Sequence, residues 1–301
     1  MNEQRRKGGV LAVKRRWMGK AGRRCARFIA VLLVGGLIGA GLVRLAPGFG
    51  TDERMLDTRL SNASIQAIQR ERAGEDNIAA YYGRYLWRLV HGDLGNSISL
   101  GRPVRELLAE RGVVSLRLVG AGLACAWMAA LALVLFLEWF RIGVCEAIAS
   151  FAAGALLCVP ATFLAIGCFY LAGPPALAVA AIVFPSVFRY GRNLIGQAGR
   201  APHVLAAHAF GESRWRILRL HVTTPVLPEL AALAGISVSM AVGAAIPVEA
   251  LCDTAGVGQL VWQAALARDL PVLVNVTLVI ATLTMAANLV AELARGARDG
   301  S

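Results

Sequence analysis

Forty-two consecutive residues, 147–188, carry no charged side chain. A helix crossing the hydrocarbon core of a bilayer takes about 20 mostly apolar residues, so this run is too long for one crossing and suits two. Gly173-Pro174-Pro175 lies where the turn between them is needed, because proline removes a backbone donor and glycine permits the bend. Four more uncharged runs follow: 28–43 between Arg27 and Arg44, 118–137, 230–248 between Glu229 and Glu249, and 270–291 between Asp269 and Glu292. The first is short, but its flanking arginines can snorkel to the interface. Hydrophobic residues make up 57% of the chain and charged ones 17%, against roughly 45–50% and 25% in soluble domains, so these runs are not the cores of a water-soluble protein. The expected fold is all-α and membrane-integral, with six transmembrane helices, which puts both termini on one side.

Charge between the runs agrees with that count. Residues 1–27 hold ten Lys/Arg and one acid, Glu3, directly before the first run, which reads as a cytoplasmic N-terminus under the positive-inside rule. Residues 47–112 balance nine bases with nine acids, and 249–269 hold Glu249, Asp253 and Asp269 against Arg268, as outer segments should. Between Arg189 and His221 lie six arginines (Arg189, Arg192, Arg200, Arg214, Arg216, Arg219) and one acid, Glu212, the signature of a cytoplasmic loop. The chain therefore divides into a basic segment 1–27, a first transmembrane helix 28–46, an outer loop 47–112, a five-helix core 113–295 and a tail 296–301. The net charge of +12 points to the lipid bilayer as partner and not to nucleic acid, since no aromatic or helix-turn-helix pattern accompanies the basic run.

The same residues exclude several chemistries. Six cysteines (Cys25, Cys125, Cys145, Cys158, Cys168, Cys252) show no C-x-x-C and no histidine at zinc spacing, so no metal site or disulfide is expected. The four histidines, His91, His203, His208 and His221, fall outside the apolar runs, which leaves an intramembrane hydrolase without a base; no catalytic residue is assigned. No G-x-x-x-x-G-K-[ST] occurs, so the chain cannot bind ATP through a P-loop.

Three segments between the spans are too patterned for linkers. In the outer loop, 78–90 and a stretch after Pro103 (Val104, Leu107, Leu108, Arg111) have helical spacing and read as two interfacial helices. His91–Ser97, HGDLGNS, makes the turn between them. Inside, 202–228 is basic and amphipathic and reads as a short helix, a bend at Gly211, and a second helix entering the membrane. After the fifth span, Gly256-Val257-Gly258 marks a turn, followed by a short helix carrying Leu260, Val261, Ala264 and Ala265 against the mouth of the bundle.

Together these segments resemble the membrane permease subunit of the dipeptide/oligopeptide/nickel class of ABC importers. The outer pattern is matched by Gly92-Asp93-Leu94-Gly95, Ser97 and Pro103-Val104. The permease signature is matched by Ala206-Ala207, Gly211, Ser213, Arg216, His221 and Pro228, and the final outer motif by Glu249, Gly256, Gly258, Leu260, Arg268-Asp269 and Pro271. Departures are Leu205, where the signature has an acid or arginine, Pro228, which falls one residue early, Ala255 in place of a proline, the very short turn at 173–175, and an expected lack of cytoplasmic acids before the signature.

The resemblance implies a type I ABC importer permease-like bundle that moves solute, a peptide on the expectation here, by alternating access. ATP and Mg would be bound by two P-loop ATPase subunits, with no cofactor on this chain. A second permease subunit and a periplasmic or extracellular solute-binding protein would complete the assembly in a bacterial inner membrane. Within a coupling loop 196–228, Ala206, Ala207 and Gly211 are expected to let an ATPase approach closely. Phe210 is expected to act as an apolar knob, and Glu212, Arg214 and Arg216 to set polar register. Gly92, Asp93, Gly95, Glu249, Gly256, Gly258, Arg268 and Asp269 are expected to flank the outer mouth where the binding protein docks. The alternative is a gradient-driven secondary transporter, or a channel or structural subunit; it is weakened by Arg44, Arg117, Arg189, Glu229, Glu249 and Glu292, which all fall near span ends and not at midplane.

Overall fold

A computed structural model of the chain describes Gly83, Trp87, Arg88 and residues 91–140 and 143–296. The basic segment, the first span, the helix expected over 78–90, apart from the three residues just named, and the last five residues of the tail lie outside the described residues. Within them the elements are α1 (Val104–Phe140), α2 (Gly143–Cys158), α3 (Ala161–Tyr170), α4 (Pro175–Gly199), α5 (Pro202–Ala209), α6 (Arg214–Leu251), α7 (Val257–Leu266) and α8 (Leu270–Gly296). Among the described residues there is one isolated β-bridge, Asn96 to Pro103, and no strand.

Three of these helices are long and apolar enough to cross a membrane: α1, α6 and the Leu270–Leu289 part of α8; the count is four if α2 and α3 are one broken span. The second interfacial helix expected after Pro103 is instead the start of α1, which runs 37 residues without interruption, about 55 Å at 1.5 Å per residue. Gly112 is the only weak helix former at the expected boundary, and one glycine costs only about 1 kcal/mol in a helix. The third span is not straight. Pro160 has no N–H and pushes Val159 out of the helical region, so α2 and α3 meet at a 99° bend. The turn at Gly173-Pro174-Pro175 forms as expected, with Pro175 opening α4.

The core lies around α4. On α1 the stripe Ala126, Ala130, Val134 and Leu137 packs against Val179, Val183, Val187 and Phe188 of α4. Gly122 lets the two backbones close, since a Cβ there would sit 2.7 Å from Val179 Cβ. Gly235 does the same for α6 and α8, where a Cβ would lie 2.7 Å from the Ala287 carbonyl oxygen. Close approach through small residues is the usual route to tight helix packing where lipid supplies no hydrophobic drive. A second, separate apolar cluster joins Val104 and Leu107 of α1, Leu260 and Ala264 of α7, and Val272 and Val276 of α8. This smaller cluster forms a lid on the end of the bundle that holds Glu249 and Asp269.

Near the opposite, arginine-rich end, Arg192 of α4 donates to Glu138 Oε2 at 2.7 Å and to Glu146 Oε1 at 2.9 Å, tying the end of α1 and the start of α2 to the central helix. Sequence reading did not pair these three.

Candidate functional site

At the arginine-rich end the chain leaves α4 and makes a helix–bend–helix. Pro202 occupies the first turn of α5, where its missing N–H is harmless. Gly211 turns the chain at φ +76°, a left-handed conformation that favours glycine. Ser213 then caps α6 by accepting from the Arg216 N–H. The segment 202–216 has two faces. Val204 and Ala207 turn inward onto Ile217 and the main core, while Phe210 is 87% exposed and Leu205 77%. Ala206 and Ala209 share the exposed side, and so does Trp215, which sequence reading passed over. This corrects one expectation. Ala207 cannot offer its surface to another protein, because it lies one helical turn from Val204 and is buried with it.

The polar residues of this segment also sort differently. Glu212 does not stand free on the surface; its Oε2 lies 3.1 Å from His221 Nε2 and 3.8 Å from Arg216 Nε. Arg214 and Arg216 are exposed. From Ile217 to Thr223 the helix widens into a π segment, a feature enriched at functional sites. Thr223 and Thr224 donate their hydroxyls to the Leu218 and Arg219 carbonyls at 2.8 and 2.7 Å.

At the lid end, HGDLGNS forms the turn its glycines and Asp93 predict. Gly92 and Gly95 have φ of +78° and +71°, and Asp93 Oδ1 accepts the Gly95 N–H at 2.9 Å. The loop is fastened to α8. Asp269 Oδ2 accepts from Ser97 Oγ at 2.5 Å and from the Ser99 N–H and Oγ at 2.9 and 2.7 Å. Asn275 donates to the Leu94 carbonyl at 2.9 Å. A bridge from Arg111 to Gln259 (2.8 Å) and on to Asp253 (2.6 Å) joins α1, α7 and the turn after α6.

Glu249, Gly256 and Gly258 form one device. Glu249 Oε2 accepts the Gly258 N–H at 2.6 Å, placing a carboxylate at the N-terminus of α7, where the helix dipole and unsatisfied N–H groups favour it. Gly256 has an unremarkable extended backbone, φ −104° and ψ −172°, so it is glycine for space: a Cβ would overlap the Glu249 carboxylate. At Gly258 a Cβ would come within 2.6 Å of Ile246 Cα. Glu249 is wholly buried and Asp269 is 1% exposed. Neither can touch a docking protein, contrary to expectation; both hold the lid together. Gly92, Asp93 and Arg268 remain at the surface, as does Trp262.

The described residues thus form a helical bundle with three to four candidate membrane spans, a two-faced helix–bend–helix at its basic end and a hydrogen-bonded lid at the other. The chain belongs to the family of binding-protein-dependent transport system inner membrane components, whose profile matches residues 118–299. A Brucella abortus (strain 2308) protein named as a peptide transport system permease is 26% identical over 90% of this chain and 94% of its own length. An oligopeptide transport system permease protein of Bacillus subtilis (strain 168) is 23% identical over 90% and 95%. A glutathione transport system permease protein of Salmonella paratyphi A is 24% identical over 83% and 88%.

Proposed function

We propose that the chain is one of a pair of membrane permeases in an ATP-driven peptide importer. It would cross the inner membrane six times, with the first span at 28–46 and both termini cytoplasmic. The observation that carries this reading is the handle: Phe210 and Leu205 are exposed at 87% and 77% on a helix whose other face is packed into the bundle. A large apolar side chain held out on an exposed face is suited to a cleft in another protein. The chain has no P-loop, so ATP and Mg belong to two ATPase subunits, and closure of those subunits moves the handle. Ala206, Phe210 and Gly211 give the contact, with Arg214 and Arg216 around it. Rocking against a second permease then alternates access to a path between them. On the outer side a solute-binding protein rests on the exposed edge of the lid, near Gly92, Asp93, Trp262 and Arg268, while Glu249, Gly256, Gly258 and Asp269 keep that edge in shape. The peptide assignment draws on the names of the relatives.

The test is to purify the tagged chain from native membranes in mild detergent and identify its companions by mass spectrometry. A second permease and P-loop ATPases are expected, and Phe210→Asp should lose the ATPases while keeping the permease. Isolation of the chain alone, or uptake that survives ATP depletion and collapses with an ion gradient, would refute the reading in favour of a gradient-driven carrier.

A further inference from the structure

Two histidines connect the handle to α6: His203, itself exposed on α5, and His221, half-buried in α6. Pro225, just past the π segment, has no N–H to offer the carbonyls of the turn before it, and the His221 carbonyl lies in that turn. His203, the second residue of α5, fills this position with its Nε2 3.0 Å from the His221 oxygen. A carbonyl only accepts, so the His203 ring donates and carries its proton on Nε2. The His221 ring reaches in the other direction, its Nε2 3.1 Å from Glu212 Oε2, immediately after the bend at Gly211. A carboxylate likewise only accepts, so His221 is also protonated on Nε2. The handle is thus fastened to the π segment at both its ends, at residue 203 and at residue 212, through a single residue of α6.

We propose that His203, His221 and Glu212 are positioning residues for coupling: a joint that makes the handle and α6 move as one body. The inference rests on the handle reading above. The covalent chain from α5 back to α4 through Arg200 and Ala201 is short, so α4 follows the handle in any case. The connection onward to α6 passes through the bend at Gly211, which can flex. The joint bypasses that bend. The hydroxyls of Thr223 and Thr224, bonded to the carbonyls of Leu218 and Arg219, brace the π segment that receives it.

The test uses the full complex with its ATPases, carrying spin labels at Ala209 in the handle and Leu227 in α6, both exposed. Electron–electron distances are measured without nucleotide and with ATP, Mg and vanadate. In the parent protein the distance should stay single and narrow in both states. His203→Ala should raise the population at a second distance about three- to tenfold, the range of one net hydrogen bond in an equilibrium. His203→Gln, which keeps a donor of similar reach, should restore the parent distribution. Melting temperatures identify any variant that fails to fold, and His203→Gln then decides. A narrow, unchanged distribution in folded His203→Ala, or failure of Gln to rescue it, overturns the joint. Failure of the handle reading would show separately, as loss of the ATPases from the unsubstituted complex, and the 209–227 distance in the chain alone would still test the fastening.

Discussion

Replacing Glu249 by alanine should loosen α7 while leaving the bundle intact. The carboxylate makes a charge-assisted hydrogen bond of 2.6 Å to the Gly258 N–H, a type worth about 1.5–3 kcal/mol. Its charge at a helix N-terminus adds up to about 2 kcal/mol in a partly buried site. The two effects overlap, so a loss of about 2–4 kcal/mol is expected in the free energy that opens the lid locally. At tenfold per 1.4 kcal/mol this is about 30- to 700-fold faster opening equilibria. Amide hydrogen exchange in detergent reads it directly, because local opening and global unfolding separate in that experiment. Amides of Val257–Leu266 should accelerate by that factor while those of α4 do not change. Glu249→Gln keeps an acceptor and loses the charge, so its effect should be about half as large in free energy. The two glycines sharpen the test. The Gly256 obstacle is the carboxylate itself, so Gly256→Ala should cost little beyond Glu249→Ala; at Gly258 the nearest obstacle is the Ile246 backbone, with the carboxylate at 3.0 Å behind it, so Gly258→Ala should stay costly in either background and be relieved only in part by Glu249→Ala. Unchanged exchange of α7 in Glu249→Ala would refute the assignment of the carboxylate as its cap.

Asp269→Ala removes the acceptor for three donors from Ser97 and Ser99; protease cleavage within 91–103 should speed up at least tenfold, at about 1.5 kcal/mol or more for a hydrogen bond to a charged group. Arg192→Met removes the guanidinium that Glu138 and Glu146 share and should destabilise the bundle by about 3 kcal/mol, the lower end of the range for a broken buried pair because Glu146 is partly solvated, measured as a lowered melting temperature in detergent; Arg192→Met with Glu138→Gln should recover part of it. Pro160→Ala restores an N–H at the bend, so labels at Ile148 and Tyr170 should move from about 20 Å apart toward the roughly 33 Å of a straight helix, by spin-label distance measurement. Gly211→Ala forces a side chain into φ +76° at a cost of about 1 kcal/mol and should weaken ATPase recovery severalfold without abolishing it.

Local signals carried much of the fold. The turn at HGDLGNS and the bend at Gly211 depend on glycine within a few residues and form where the sequence puts them, whereas the turn expected at Gly256-Val257-Gly258 lies at Cys252 and Asp253 and α7 already starts at Val257. Prolines were less informative singly. Pro160 breaks a helix, whereas Pro185, Pro228 and Pro247 lie inside helices, because neighbouring helices and hydroxyls in a packed bundle can satisfy the freed carbonyls. The sites were harder to read for a different reason. An acid next to an apolar run reads as the end of a span at the water surface, yet Glu249 and Asp269 are turned inward onto backbone donors from segments distant in sequence. Ser97 and Asp269 are 172 residues apart; nothing local marks them as partners. The pairing of Arg192 with Glu138 and Glu146 is hidden in the same way, since each residue alone reads only as a charge flanking a span.

The central position of α4 bears on how the protein is made. Its neighbours α1 and α6 are long and apolar enough to cross a membrane, but α4 is not among the helices that are, with Arg189 and Arg192 in its second half. A helix shielded on most sides by protein has little need of a lipid-compatible surface, and during synthesis it also lacks one. In the six-span arrangement α4 emerges after α1, α2 and α3, so its entry into the bilayer depends on a surface those helices already present. The contact at Gly122 and Val179 would then act during biogenesis before it acts in the finished bundle. Gly122→Val should accordingly be seen first as chains whose 189–221 loop reaches the wrong side of the membrane, and only afterwards as a less stable protein.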